Sequence, residues 1–244
     1  MNGLRVIRVL GPIDVRGIWR DSLLRWLLGS ALVTGIVLRL AMPPLITWLA
    51  ERHNFDLEPY LPLVMSSVLL MLPMIVGMIV GFLLLDERDD QTLTALRVTP
   101  LPLTSYLIYR LAMPVLASTL LTVVVFEMAG IGAVGSGRIL IAAAAAAPLA
   151  PLFALYLAGF ANNKVQGFAL TKSNGFLTIP PLVAWFIDAP YEYLCGIVPT
   201  YWPVKLYWQM TEGVVNWWLF VGGIAFQFVV VGLLARRFQY VLGR

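Results

Sequence analysis

Asp86-Glu87-Arg88-Asp89-Asp90 is a dense run of charge, with four carboxylates in five positions. Such a cluster could bind Mg²⁺ for a headgroup transfer, or it could be a solvated charged loop that merely sets topology. Metal-dependent transfer would also need a second constellation for a substrate phosphate, and the sequence offers none. His53, the one histidine, leaves little acid–base chemistry and no multi-histidine metal site. Cys195, the one cysteine, allows neither a disulfide framework nor a zinc cluster. No Gly-x-x-x-x-Gly-Lys-Ser/Thr phosphate loop is present, so any ATP must be hydrolysed by another chain. The expectation is a chain without catalytic residues, metal ligands or a cofactor of its own.

The elements that position this charge are apolar. Of 244 residues, 60% are hydrophobic and 12% are charged, about half the roughly 25% charge of a soluble domain. That excludes an ordinary water-soluble enzyme, a disordered chain and a nucleic-acid-binding domain. The net charge of +4 belongs to cations flanking apolar runs. The fold class is an all-α polytopic membrane protein, a single transmembrane domain over 1–244. A spanning helix needs about 20 mostly apolar residues, which gives six spans. Four are at 23–49, 61–85, 105–130 and 139–160, and the last is at 214–235. The first of them is interrupted by Arg39 and Pro43-Pro44, while the second is an uncharged run. The fifth is ambiguous, because 176–187 is only twelve residues long. If it starts near Gly167, Lys172, Ser173 and Asn174 lie at membrane depth and are candidates for a translocation path. Otherwise they form a loop from which Lys172 snorkels to the surface. The proline-broken, aromatic stretch 188–213 reads as an outer re-entrant or interfacial element.

Placing both termini in the cytoplasm puts thirteen of the seventeen basic residues inside. They are Arg5, Arg8, Arg16, Arg20, Arg25, Arg88, Arg97, Arg110, Lys164, Lys172, Arg236, Arg237 and Arg244. The positive-inside bias then demands an even number of spans. Asp14, Arg16, Arg20 and Asp21 interrupt the start too often for a cleavable leader. Residues 1–22 read instead as a helix lying at the inner surface.

Residues 86–100 form the cytoplasmic loop between spans two and three. Carboxylates crowd its first turn and Arg97 stands in its last, which suits a helix dipole. Leu93 and Leu96 share a face, and Pro100 and Pro102 end the helix. The product is a short amphipathic helix whose apolar pair fits a partner's groove. This segment resembles the coupling-helix motif of type-2 ATP-binding-cassette (ABC) transporter permeases. The matching residues are Asp86, Glu87, Arg88, Thr92, Leu93, Ala95, Leu96, Val98, Thr99 and Pro100, with Gln91 where the family often has Gly. The stretches 161–170 and Pro199-Thr200-Tyr201-Trp202-Pro203 resemble the subgroup of drug export permeases, fluoroquinolone exporters included.

The resemblance implies a permease subunit in a bacterial inner membrane that exports a drug-like or lipid-like amphipathic molecule. It also implies pairing with a second permease, identical or related, and seating on ABC ATPase subunits that carry the ATP and Mg. Asp86, Glu87, Arg88, Thr92, Leu93, Leu96 and Arg97 become the candidate coupling residues. Asn163 and Lys164, in the second inner loop, become a smaller ATPase contact. Gly77 and Gly81 have a Gly-x-x-x-Gly spacing suited to close packing, including packing between two subunits. Trp48, Trp202, Trp208, Trp217 and Trp218 read as an aromatic belt near the outer surface. Two other classes stay open: an ATP-independent secondary transporter, and a Mg-dependent lipid transferase built on Asp86, Glu87, Asp89 and Asp90.

Overall fold

The computed structural model describes residues 3–89, 103–131 and 134–242, and all regular structure among them is helical. Helix α1 (Gly3–Arg20) leads into α2 (Ser22–His53). Asp21 caps the start of α2, accepting hydrogen bonds from the Leu23 and Leu24 amides at 2.8 and 3.3 Å. At its far end Asn54 takes the left-handed conformation, φ 49°, and closes the helix. Pro43 and Pro44 lie inside α2 without ending it. Each proline removes one donor, from the carbonyls of Arg39 and Leu40, and in the next turn the Thr47 hydroxyl donates to the Pro44 carbonyl at 3.0 Å. At about 1.5 Å per residue, α2 is roughly 48 Å long and spans the bilayer core with length to spare.

Helix α3 (Leu61–Asp89) is the centre of the bundle. Its spanning window is 78% buried, against 11% for α2. A helix apolar on every side can face either lipid or other helices, and α3 faces helices: it is packed by α4 (Leu103–Ala129), by α6 (Leu149–Phe160) and by α9 (Tyr201–Thr211). Helix α5 (Ser136–Ala146) precedes α6, with a turn at Pro148 between them. The last helix, α10 (Trp217–Leu242), lies against α6 and α9.

The α3–α6 contact is unusually close. A Cβ on Gly77 would meet the Ala150 carbonyl at 2.5 Å and the Phe153 Cβ at 2.7 Å. One on Gly81 would meet Leu157 Cδ1 at 2.9 Å. The approach that these two glycines permit is therefore between two helices of one chain. The space that a second copy would have to fill is already occupied by α6.

Among the described residues, five helices are long and apolar enough to cross a membrane: Ser22–His53, Glu58–Asp89, Ile108–Ala129, Ser136–Phe160 and Trp217–Tyr240. The ambiguous fifth region is a composite. Helix α7 (Lys164–Thr171), a 3₁₀ turn (Lys172–Asn174) and α8 (Gly175–Ala184) run on from one another. Together they are about 30 Å long at helical rise, which matches a bilayer core. The polar triplet sits in the middle of that path, which is why no clean apolar run marks it.

A 3₁₀ segment (Tyr191–Ile197) and α9 fill the stretch before the last helix. With 11 residues, α9 is too short to span, yet Tyr201, Val204, Leu206, Tyr207 and Met210 are wholly buried on it. The aromatic belt divides accordingly. Trp48, Trp217 and Trp218 are exposed, whereas Trp208 is buried and donates to Ser66 Oγ on α3 at 2.6 Å.

Candidate functional site

One end of the bundle collects the charges. Arg110, on the second turn of α4, is only 4% exposed. Its guanidinium pairs with Asp14 of α1 at 2.9 Å and with Glu87 at the end of α3. Tyr106, one helical turn earlier, donates to the same Glu87 carboxylate, and the Tyr109 hydroxyl donates to Asp14 at 2.8 Å. A buried guanidinium must be paired and hydrogen-bonded to be tolerated, and its five donors can serve two carboxylates at once. The outcome is a knot that fastens α1, α3 and α4 together.

A second knot stands beside the first. The Lys164 ammonium, at the start of α7, bridges Asp21 at 2.7 Å and Asp86 at 2.8 Å. Its hydrogen bond holds the Asp21 carboxyl below its ordinary value of 3.8. A carboxyl with a lowered pKa stabilises the fold above its ordinary value, and that contribution fades as the pH falls through the depressed one. The α1–α2 junction therefore keeps its clamp at neutral pH and releases it only in strong acid. Arg88 donates to the Ala161 carbonyl at 2.8 Å and to the Ala158 carbonyl at 3.4 Å, at the C-terminal end of α6. That is the end of a helix dipole where a cation is favoured.

Asp21 thus has two tasks, and two substitutions separate them. Asn is as good an N-cap as Asp, whereas Ala forfeits about 1 kcal/mol of capping. Asp21→Ala is expected to raise hydrogen exchange at the Leu23 and Leu24 amides about five-fold. Asp21→Asn should leave those amides protected while removing one of the two carboxylates that hold Lys164. Equal exchange in the wild type and Asp21→Ala would remove the capping assignment.

The three residues that open the motif, Asp86, Glu87 and Arg88, are all engaged within the chain: with Lys164, with Arg110 and Tyr106, and with α6 carbonyls. Thr92, Leu93, Leu96 and Arg97 lie outside the described residues. Of the second inner loop, Lys164 joins the cluster, while Asn163 caps α7 by accepting from the Gln166 amide at 3.0 Å. A cavity of about 650 Å³ opens between α1 and the end of α3, lined by Asp14, Arg16, Arg20, Asp21, Asp86 and Glu87. The polar triplet of the fifth region points three ways. Lys172 is exposed. The Ser173 hydroxyl shares a hydrogen bond with the Tyr156 hydroxyl at 2.9 Å. Asn174 is buried, and neither atom of its amide has a hydrogen-bond partner.

Sequence reasoning did not single out Asp14, Tyr106 or Tyr109 as site residues. The one signal was Arg110, a charge inside an apolar run, which at membrane depth requires a partner. Its partners lie 23 and 96 residues away in sequence, beyond any local periodicity.

Residues 14–235 match the family described as "Fluoroquinolones export permease protein Rv2686c-like". Two curated relatives, from two strains of Mycobacterium tuberculosis, are named "Fluoroquinolones export permease protein MT2760" and "Fluoroquinolones export permease protein Rv2686c". Each is 36% identical over 243 residues, covering 97% of this chain and 95% of the relative. No solved structure matches the chain.

Proposed function

Because the chain belongs to the Rv2686c-like family of fluoroquinolones export permeases, we propose that it is the membrane-spanning subunit of an ATP-driven drug exporter, powered by a separate ABC ATPase. ATP and Mg are held by that ATPase, and a second permease, identical or related, completes the path. Both termini and the charged end of the bundle face the cytoplasm of a bacterial cell, and the protein sits in its inner membrane. Residues 1–22 belong to that surface, 86–100 take the ATPase-coupling role, with 86–89 being the last turn of α3, and 188–213 are the outer re-entrant element.

The observation that carries this reading is the double knot at the charged end. Asp86, Glu87 and Arg88, on the last turn of α3, tie the start of 86–100 to Lys164, to Arg110 of α4 and through it to Asp14 of α1, and to the carbonyls at the end of α6. A push on that segment is therefore delivered to several helices at once. Rigid, multiply anchored attachment is what a lever needs. In this scheme Asp86, Glu87 and Arg88 are anchors, while Thr92, Leu93, Leu96 and Arg97 present the face that the ATPase grips. Asn163 and Lys164 sit beside them. The lipid-transferase alternative loses ground on the same contacts, since two of its four carboxylates are already occupied by cations. Asn174, with its unmet amide, supports a polar translocation path through 172–174, because buried polar atoms in native proteins are rarely left unpaired.

The test is co-purification and reconstitution with the partner ATPase. Leu93→Asp is expected to cut permease-stimulated ATP hydrolysis at least ten-fold and to weaken co-purification, with the melting midpoint of the permease unchanged. Glu87→Arg would set two cations against each other at Arg110, so it reports on folding and is no substitute. Unaltered stimulation in Leu93→Asp would remove the coupling assignment. Drug transport by the lone chain under a proton gradient would put the secondary-transporter reading in its place.

A further inference from the structure

The opposite end of the bundle holds a cavity of about 350 Å³ between α8 and α9, within the size range of small-molecule sites. Two of its walls are the indoles of Trp185 and Trp208, edge to face with centroids 4.8 Å apart. The Ser66 hydrogen bond fixes the Trp208 ring from α3, so this wall is preformed. Deeper in, the Glu192 carboxylate accepts from Lys205 through both oxygens, at 2.7 and 2.8 Å. Its side chain is only 8% exposed, so the one cation of the cavity is consumed by a buried acid. Gln209 is also among the lining residues, although its Oε1 is turned away from solvent. At the rim, Asp188 and Glu212 are exposed and pair with no cation among the described residues.

These features select one chemistry. An aromatic face stacks on a flat ring and attracts a cation, and two rim carboxylates draw positive charge and repel anions. We propose that this cavity binds the protonated amine of an amphipathic molecule whose flat body lies against Trp185, the ring that Trp208 braces. This rests on the export reading: the cavity is then the last station of the exported molecule before the outer face. Arg138 holds the site in shape, donating from α5 to the Met210 carbonyl at 3.1 Å and the Gly213 carbonyl at 3.3 Å just beyond the cavity.

The experiment compares two probes on the full chain in phosphatidylcholine–phosphatidylglycerol nanodiscs, with empty nanodiscs subtracted. Norfloxacin carries a protonated piperazine, and nalidixic acid is a related aromatic acid without one. Equilibrium dialysis at pH 7 is expected to show norfloxacin bound at least ten-fold more tightly. The rim variant Asp188→Asn/Glu212→Gln should bring the two probes within two-fold of each other, with no change in melting midpoint. Trp185→Ala should weaken both probes about five-fold or more, since each has a flat aromatic body to lose its support. Equal binding of both probes to the wild type, or a preference that survives the rim variant, would overturn the proposal. The readout needs no ATPase. A lost preference beside intact ATP-driven transport removes this site alone, whereas a retained preference in a chain that ignores the ATPase removes the export reading alone.

Discussion

Gly77→Ala is expected to lower the stability of the bundle by about 2 kcal/mol or more, despite adding a single methyl group. Gly→Ala inside a helix ordinarily stabilises by up to about 1 kcal/mol, because alanine has less backbone freedom to lose. Here that gain is overridden. The new Cβ would lie 2.5 Å from the Ala150 carbonyl oxygen, a backbone atom that cannot rotate aside. Overpacking of this kind costs about 1–3 kcal/mol. For a chain of this size that corresponds to a fall of roughly 4–8 °C in melting midpoint. Gly81→Ala should cost less, since its nearest neighbour is the end of the Leu157 side chain at 2.9 Å. Gly232→Ala on α10 is the control. Nothing lies within 4 Å of its added methyl, so it should be neutral or mildly stabilising. The ranking Gly77 worse than Gly81 worse than Gly232, read from thermal unfolding in detergent, tests the interlock of α3 and α6. If Gly77→Ala melts with the wild type, the two helices do not interlock as described.

The same pair of helices shows what was legible in the sequence. The uncharged run 61–85 announced α3 as a span, but not that it would sit at the centre of the bundle, since lipid covers an apolar helix as readily as other helices do. The glycine spacing announced close packing but not its partner. A small residue says only that something comes near, and here the neighbour is α6 of the same chain. Pro43-Pro44 read as an interruption, yet α2 continues through it, since in an apolar medium the helix has nowhere better to place its backbone. The fifth region was hardest, because its polar triplet dilutes the apolar signal that spans are read from. The short, buried α9 was legible as a non-spanning element from its prolines. That Trp208 points inward to Ser66 was not, as an aromatic near a membrane surface serves equally as a belt or as a wall. The motif at 86–88 stood out by its charge density, but which cation each carboxylate holds depends on helices far apart in sequence.

Arg110→Met should have a still larger effect than any glycine change, and of a different kind. Methionine keeps the volume and apolar stem of arginine but removes every donor. Asp14 and Glu87, 18% and 19% exposed, would then face each other's surroundings without a cation. Breaking a buried ion pair by deleting one partner costs about 3–5 kcal/mol, and partial solvent access of the two acids places this case toward the lower figure. The loss is expected as a drop of roughly 10 °C in melting midpoint. Arg110→Lys should recover only part of it, because one ammonium cannot reach both carboxylates with the geometry of a planar fork. Pairing the change with its acids locates the energy. If Arg110→Met and Glu87→Gln act through one contact, the double variant should be at least 1 kcal/mol more stable than the sum of the two single losses predicts. Additive losses would mean that Glu87 and Arg110 stabilise the bundle independently and that the knot is not a unit. Because α1 is held to α4 through Asp14, the same variant should also expose α1 to protease while the α3–α6 core stays resistant. That pattern would show the charged end loosening before the centre of the bundle, and so that Arg110 fastens this end.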